Sequence, residues 1–239
     1  MSGPYRTVGV IGGMGPAATV DFFAKLVAAT PAQRDQDHIR VLIDNDPSVP
    51  ERSAAVAGRG PSPAPRLASM AKGLVAAGAE LLVMPCNTAH AYASSIRDAV
   101  PGTPFVSLIE ATIAETLERA PGARRVALLA TDGTLEARIY HEAFADVGVE
   151  VLAPVESEQR RVMAAIAAVK RGAAGPEERS ALRQVAEVLV TSGAQALVAG
   201  CTEVPLLMSD PELRVGDTSV PVVSSTDALV TQTLTAARR

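Results

Sequence analysis

Tryptophan is absent from the 239 residues, and the remaining aromatics are four phenylalanines and three tyrosines. A chain so poor in flat side chains has few platforms on which bases could stack. Positive charge is not in excess either: 22 basic residues face 26 acidic ones, for a net charge of -4. That balance leaves no electrostatic footprint for nucleic acid or an anionic membrane, and neither is expected as a partner. No uninterrupted apolar run reaches the length of a membrane span. The amino terminus runs from Met1 into an apolar stretch by Val8 without a basic leader or a small-residue cleavage site. The expectation is a cytoplasmic protein. Cysteine is scarce, with two in the chain, Cys86 and Cys201. In a reducing compartment such a pair reads as thiols, not as a structural disulfide. A zinc site would need more ligands than Cys86, His90, Cys201 and Glu203 supply, since no tight Cys/His cluster occurs, and no metal is expected. His38 and His141 have no context that lifts them, and His90 reads as a satisfied helix-face residue.

What is present is a succession of short apolar runs alternating with amphipathic stretches. "RTVGVIGG", "IRVLIDND", "AELLVMPC" and "PFVSLI" read as strands in the first half, and "RRVALLAT", "VEVLAP", "AQALVAG" and "VPVVSS" in the second. Helix-length segments such as "TVDFFAKLVAAT", "APRLASMAKGLVAAG", "TAHAYASSIRDAV" and "EATIAETLERA" lie between them. Unalternating strands joined by helical crossovers predict an α/β protein with mainly parallel sheets.

The halves also match each other. Val8 and Val126 open similar strands 118 residues apart, Cys86 and Cys201 end similar strands 115 apart, and Pro104 and Pro221 precede similar strand–helix units 117 apart. Three correspondences in one order at nearly constant offset indicate an internal duplication. Two pseudo-symmetric α/β lobes are expected, residues 1–120 and 121–239, with the C-terminal helix free to pack back on the first. Ligands of open α/β sheets bind beyond the carboxyl ends of the strands. The active site is therefore expected in the cleft between the lobes, with the two thiols on opposite sides.

Opposed thiols suit the inversion of a carbon that carries hydrogen. One removes the proton while the other returns one from the opposite face, and the roles swap for the enantiomer. A thiol's ordinary pKa of about 8.5 lets it serve as acid or base. Each cysteine sits where a helix is expected to begin, and a helix N-terminus would bring the thiol pKa toward neutrality. A second anion nearby is disfavoured, so the working state would hold one thiolate and one thiol.

"GGMGP" at Gly12–Pro16, "NDPSVPERS" at Asn45–Ser53, "PCNTAH" at Pro85–His90 and "GCTE" at Gly200–Glu203 resemble the aspartate racemases of the aspartate/glutamate racemase superfamily, the two-cysteine type that works without pyridoxal phosphate. The resemblance covers essentially the whole chain. Glutamate racemases share "CNTA" but typically open with a "DSGxGG"-like loop and carry His after the second Cys-Thr, where this chain has Glu203. The resemblance implies an isomerase interconverting L- and D-aspartate, with glutamate as a further substrate, no cofactor, and a homodimer. It assigns Cys86 and Cys201 as the catalytic bases, with Glu203 tuning Cys201. It gives Arg52 and Lys170 to substrate carboxylates. Asn87, Thr88 and Thr202 bind beside the thiols, with Met14 and Thr131 on the first loop of each lobe. One departure is Glu51, where many relatives have Asp before the arginine. Of 22 basic residues only three are lysines, Lys25, Lys72 and Lys170, which agrees with Lys170 marking a place where an ammonium is wanted.

Other readings compete. A maleate-type isomerase or a hydantoin racemase would use the same thiols on another acid, and a binding protein could also present two lobes around a cleft. Gly13-x-Gly15-x-x-Ala18 is a weak dinucleotide fingerprint, with Asp44 or Asp46 as the ribose acid. Pro16 counts against it, because it removes an N–H from the loop that would cradle phosphate. The runs "ESEQRR" and "PEERSALR" read as solvated helix faces.

Overall fold

The computed structural model describes residues 5–239. The α/β class with mainly parallel sheets is found. The chain forms β1 (Val8–Gly12), α1 (Pro16–Ala29), β2 (Val41–Asn45), α2 (Arg52–Val56), α3 (Ala64–Ala76), β3 (Leu81–Val83), α4 (Ala93–Ala99), β4 (Phe105–Val106) and α5 (Leu108–Arg119). It continues through β5 (Arg125–Leu129), α6 (Asp132–Glu136), α7 (Ile139–Ala145), β6 (Glu150–Leu152), α8 (Glu156–Lys170), α9 (Pro176–Thr191), β7 (Leu197–Ala199), β8 (Glu212–Val215), β9 (Thr218–Ser224) and α10 (Ser225–Ala237).

The first sheet has the order β2-β1-β3-β4, all parallel. The second has the order β6-β5-β7-β9-β8, parallel except for β8. With β8 set aside the two orders are the same, so the repeat seen in the sequence is a repeat of topology. Every residue of β1, β3 and β7 is buried, as strands need to be when helices cover both faces. The edge strands β2 and β6 are part-exposed. Helices bury one stripe each: Ala18, Phe22 and Leu26 on α1, Leu67, Met70, Ala71 and Leu74 on α3, and Leu182, Val185, Ala186 and Leu189 on α9. Spacings of three and four residues place such side chains on one face of a helix.

Two differences from expectation are local. "PFVSLI" contributes only two strand residues, because α5 already begins at Leu108. β8 is an unexpected strand: charged and at the sheet's edge, it pairs antiparallel with β9 and carries no buried run to announce it.

The compact units are residues 1–108 with 226–239, and residues 109–225. The expected division at 120/121 thus falls inside the second unit. Side chains explain the membership. In the second unit the Arg119 guanidinium, on α5, donates to the carbonyls of Val222 and Pro211, and Tyr140 Oη bonds Thr112 Oγ1 at 3.3 Å. In the first, Asp227 of α10 pairs with Lys25 at 2.8 Å, Arg6 donates to Ala236 O, and Arg239 pairs with Glu80. Each half of the chain therefore gives its last helix to the other unit. No helix among the described residues is long and apolar enough to cross a membrane.

Candidate active site

In the first unit, β1 and β3 run parallel with Val10 beside Val83, so the loop at Gly13–Met14 emerges next to Cys86. Met14 and Cys86 are both buried in the core cluster that also contains Val49 and Ala89. Gly13 is obligatory on two counts: its φ is +93°, and a Cβ there would lie 2.4 Å from the Asp46 backbone. Its N–H is taken by Thr19 Oγ1 at 2.9 Å, and Pro16 opens α1. The loop is filled from within, unlike one built to cradle a pyrophosphate.

After Cys86 the chain makes a 3-10 turn over Thr88–Tyr92 and then α4. Cys86, Asn87 and Thr88 are buried. Arg52 stands at the first position of α2, on the loop that follows β2, and its Nη1 donates to the carbonyls of Val49 and Pro50 at 3.2 Å each. Its Nε is buried with no acceptor. A guanidinium N–H left in that state calls for an acceptor from outside, and a carboxylate fits. Glu51 does something different: its Oε2 caps α2 by accepting from the Ala54 N–H at 2.5 Å.

In the second unit, Leu129 of β5 lies beside Ala199 of β7, which brings Thr131 and Cys201 out at the same level. Thr131 is the N-cap of α6, accepting from the Thr134 N–H at 3.2 Å. Gly200 packs tightly, since a Cβ there would meet Leu128 Cδ1 at 2.5 Å. Cys201 Sγ donates to Glu203 Oε2 at 2.9 Å, and Thr202 Oγ1 donates to the same oxygen at 3.2 Å. All three residues are buried. Burial and the neighbouring Glu203 carboxylate hold the Cys201 pKa well above its ordinary value, with Lys170 pulling weakly the other way. Lys170 is the exposed last residue of α8.

This corrects the expectation that a helix would begin at each thiol and lower its pKa. After Cys201 the chain makes successive turns, with N–H bonds from Val204 to Cys201 O and from Leu207 to Val204 O. Pro205 lacks the N–H that a continuing helix would require. At Cys201 the acid form of the thiol is favoured.

The predicted residues therefore gather as two half-sites: Met14, Arg52, Cys86, Asn87 and Thr88 in one unit, Thr131, Lys170, Cys201, Thr202 and Glu203 in the other. Three buried polar side chains lie beside them that the sequence did not assign to the site. Tyr140 lies behind Gly200, close enough to feel the Cys201 charge, and burial raises its pKa. Gln159 Nε2 donates to Ala130 O at 3.0 Å and to Asp132 Oδ1 at 2.7 Å, flanking Thr131. His90 contacts the Cys86 carbonyl at 2.8 Å through Nδ1. Tyr140 and Gln159 sit in ordinary amphipathic helices and carried no signal. His90 stood four residues after Cys86, which was the available one. Among the described residues no three His, Cys, Asp or Glu side chains converge as metal ligands do.

A family model described as Asp/Glu/Hydantoin racemase matches residues 11–233. The chain is 24% identical over 231 residues to the broad specificity amino-acid racemase RacX of Bacillus subtilis, covering 95% of this chain and 96% of that one. It is 32% identical over 151 residues to a glutamate racemase of Roseiflexus, a match that takes in 62% of this chain but spans only 52% of that enzyme. Among solved structures, Picrophilus torridus aspartate racemase superposes with a TM-score of 0.77 at 30% identity, covering 98% of this chain and 95% of the other.

Proposed function

The chain belongs to the Asp/Glu/Hydantoin racemase family and is by that membership a racemase, an isomerase acting on an amino acid; from that premise we propose that it interconverts L- and D-aspartate, and glutamate as well, by proton transfer between Cys86 and Cys201. The observation that carries the reading is the buried Cys201–Glu203 hydrogen bond of 2.9 Å. It supplies a thiol held in its acid form at the strand end that corresponds in topology to the one bearing Cys86.

In one direction Cys86, as thiolate, takes the α-proton and leaves the electron pair on the α-carbon. Cys201 S–H then delivers its proton to the opposite face. A thiolate left on Cys201 beside an ionised Glu203 would place two anions together, which is unfavourable. Return of a proton from solvent to Cys201 after product release relieves this. Arg52 and Lys170 receive the two carboxylates of the substrate. Met14, Asn87, Thr88, Thr131 and Thr202 complete its binding. Strand-end N–H groups and hydroxyls stabilise the charge that develops on the α-carboxylate. The reading needs no metal or organic cofactor, and it includes a cytoplasmic homodimer.

The test is incubation of L- and D-aspartate in D2O without added cofactor, following the α-hydrogen signal and the chirality together. Exchange with inversion from both enantiomers supports the reading. No exchange of any amino acid, with conversion of maleate, would replace it by the isomerase. Sedimentation at several protein concentrations tests the dimer.

A further inference from the structure

His90 is buried, and both of its ring nitrogens are engaged. The Leu108 N–H approaches Nε2 at 3.0 Å, and a backbone N–H can only donate. Nε2 is therefore the lone-pair nitrogen, the proton resides on Nδ1, and Nδ1–H donates to Cys86 O at 2.8 Å. The ring packs 5.6 Å from that of Phe105, on whose ring the Arg97 guanidinium also rests. Burial pushes the His90 pKa down to about 4, so the ring stays neutral and this tautomer persists wherever a thiol is active. Leu108 ends the first unit's amino-terminal segment and is the first residue of α5. One ring thus ties the carbonyl of the thiol-bearing residue to the point where the chain leaves that unit. Because a trans peptide is planar, fixing the Cys86 carbonyl also fixes the direction of the Asn87 N–H, and it anchors the backbone from which the thiol projects. The second unit has no such ring at the matching place, where the residue four beyond Cys201 is Pro205.

We propose that His90 is the positioning residue of the Cys86 thiol, acting through the Nδ1–H bond to the Cys86 carbonyl and anchored by the Leu108 N–H. The proposal rests on the racemase reading for the purpose it gives Cys86, though not for its geometry. Residues that hold a reacting group within a fraction of an ångström govern turnover more than affinity.

Two substitutions separate the two bonds. His90→Asn places an amide N–H near the Nδ1 position and keeps the bond to Cys86. His90→Gln places its amide at the Nε2 position, keeping an acceptor for Leu108 and losing the Cys86 bond. Each is made in a Cys201→Ala and in a Cys86→Ala background of the full chain, and the remaining thiol is alkylated with iodoacetamide while thermal unfolding is recorded. His90→Gln is expected to raise Cys86 alkylation about fivefold, because a freed carbonyl lets a buried thiol swing out. His90→Asn is expected to stay within about twofold, and Cys201 to stay unchanged in both. In parallel, deuterium exchange into aspartate by Cys86 alone should fall about tenfold in kcat with KM held within about twofold. Exchange by Cys201 alone should not move. An unchanged Cys86 rate in His90→Gln overturns the proposal, as does an equal rise at both thiols with a falling unfolding temperature, the mark of a merely structural role. If the alkylation pattern appears but no variant that retains His90 exchanges any amino acid, the racemase reading fails and the positioning role stands.

Discussion

The two units share a strand order and differ in what surrounds the thiol. In the first, a ring from the following turn holds the backbone of Cys86. In the second, a carboxylate two residues on holds the sulfur of Cys201 itself. The duplicated scaffold delivers both cysteines to strand ends, where side-chain chemistry is added independently. A symmetric reaction does not require symmetric catalysts, because each thiol needs only to be competent in both roles over a cycle. Under the proposed mechanism, the difference makes backbone orientation the control on one side and protonation state the control on the other.

The largest effect expected breaks the comparison outright. Cys86→Ala and Cys201→Ala should each lower racemisation of both enantiomers by about a thousandfold, since inversion needs both groups and a positioned acid or base contributes factors of this order. A polarimetric assay that found ordinary turnover in either variant would remove the two-thiol mechanism.

A second measurement separates the units by acid. His90 is neutral when folded, with a pKa lowered to about 4, whereas the unfolded chain binds that proton near its ordinary 6.5. Between these values the unfolded state holds more protons, so stability is complete above about pH 6.5 and falls as pH drops toward 4. The loss should approach about 3 kcal/mol in denaturant titrations, and His90→Gln should abolish that part of the slope. An identical slope in the variant would show that other groups cause it.

Third, the glycines beside the two thiols should differ in tolerance. Gly13→Ala forces a Cβ onto the Asp46 backbone at a positive φ, and should cost about 2–4 kcal/mol of unfolding free energy. Gly200→Ala meets the end of the Leu128 side chain, which can yield, and should cost about 1–2 kcal/mol. Equal losses would deny that the first loop is the stiffer.

The smallest effect probes tuning. Glu203→Gln keeps an acceptor for the Cys201 S–H and removes the charge that raises its pKa. Cys201 should then alkylate with a midpoint at lower pH, while turnover falls about tenfold, toward the low end for losing one acid–base partner. A midpoint that stays put would leave burial as the sole cause.

Much of this was legible in the sequence. Apolar runs such as "AELLVMPC" and "AQALVAG" marked buried parallel strands because such strands need no alternation, and the repeat fixed their correspondence. β8 was illegible for the opposite reason: "ELRV" follows a proline, lies at an edge and buries one leucine. "GCTE" exposed Cys201 and Glu203 as neighbours, yet the turn that lets them bond depends on Pro205 stopping a helix. His90 and Tyr140 bond residues 18 and 28 positions away, Leu108 and Thr112, and such pairings exist only after the chain has folded.

Membership of α10 in the first unit has a consequence for biosynthesis. Residues 226–239 leave the ribosome only after every residue of the second unit has been made. The first unit begins the chain but lacks the helix carrying Asp227 and the segment carrying Arg239 until that moment, leaving Lys25 and Glu80 without those partners. Domains generally fold as they emerge, N-terminal first. Here the order is inverted: the second unit can close during translation, and the first is completed last.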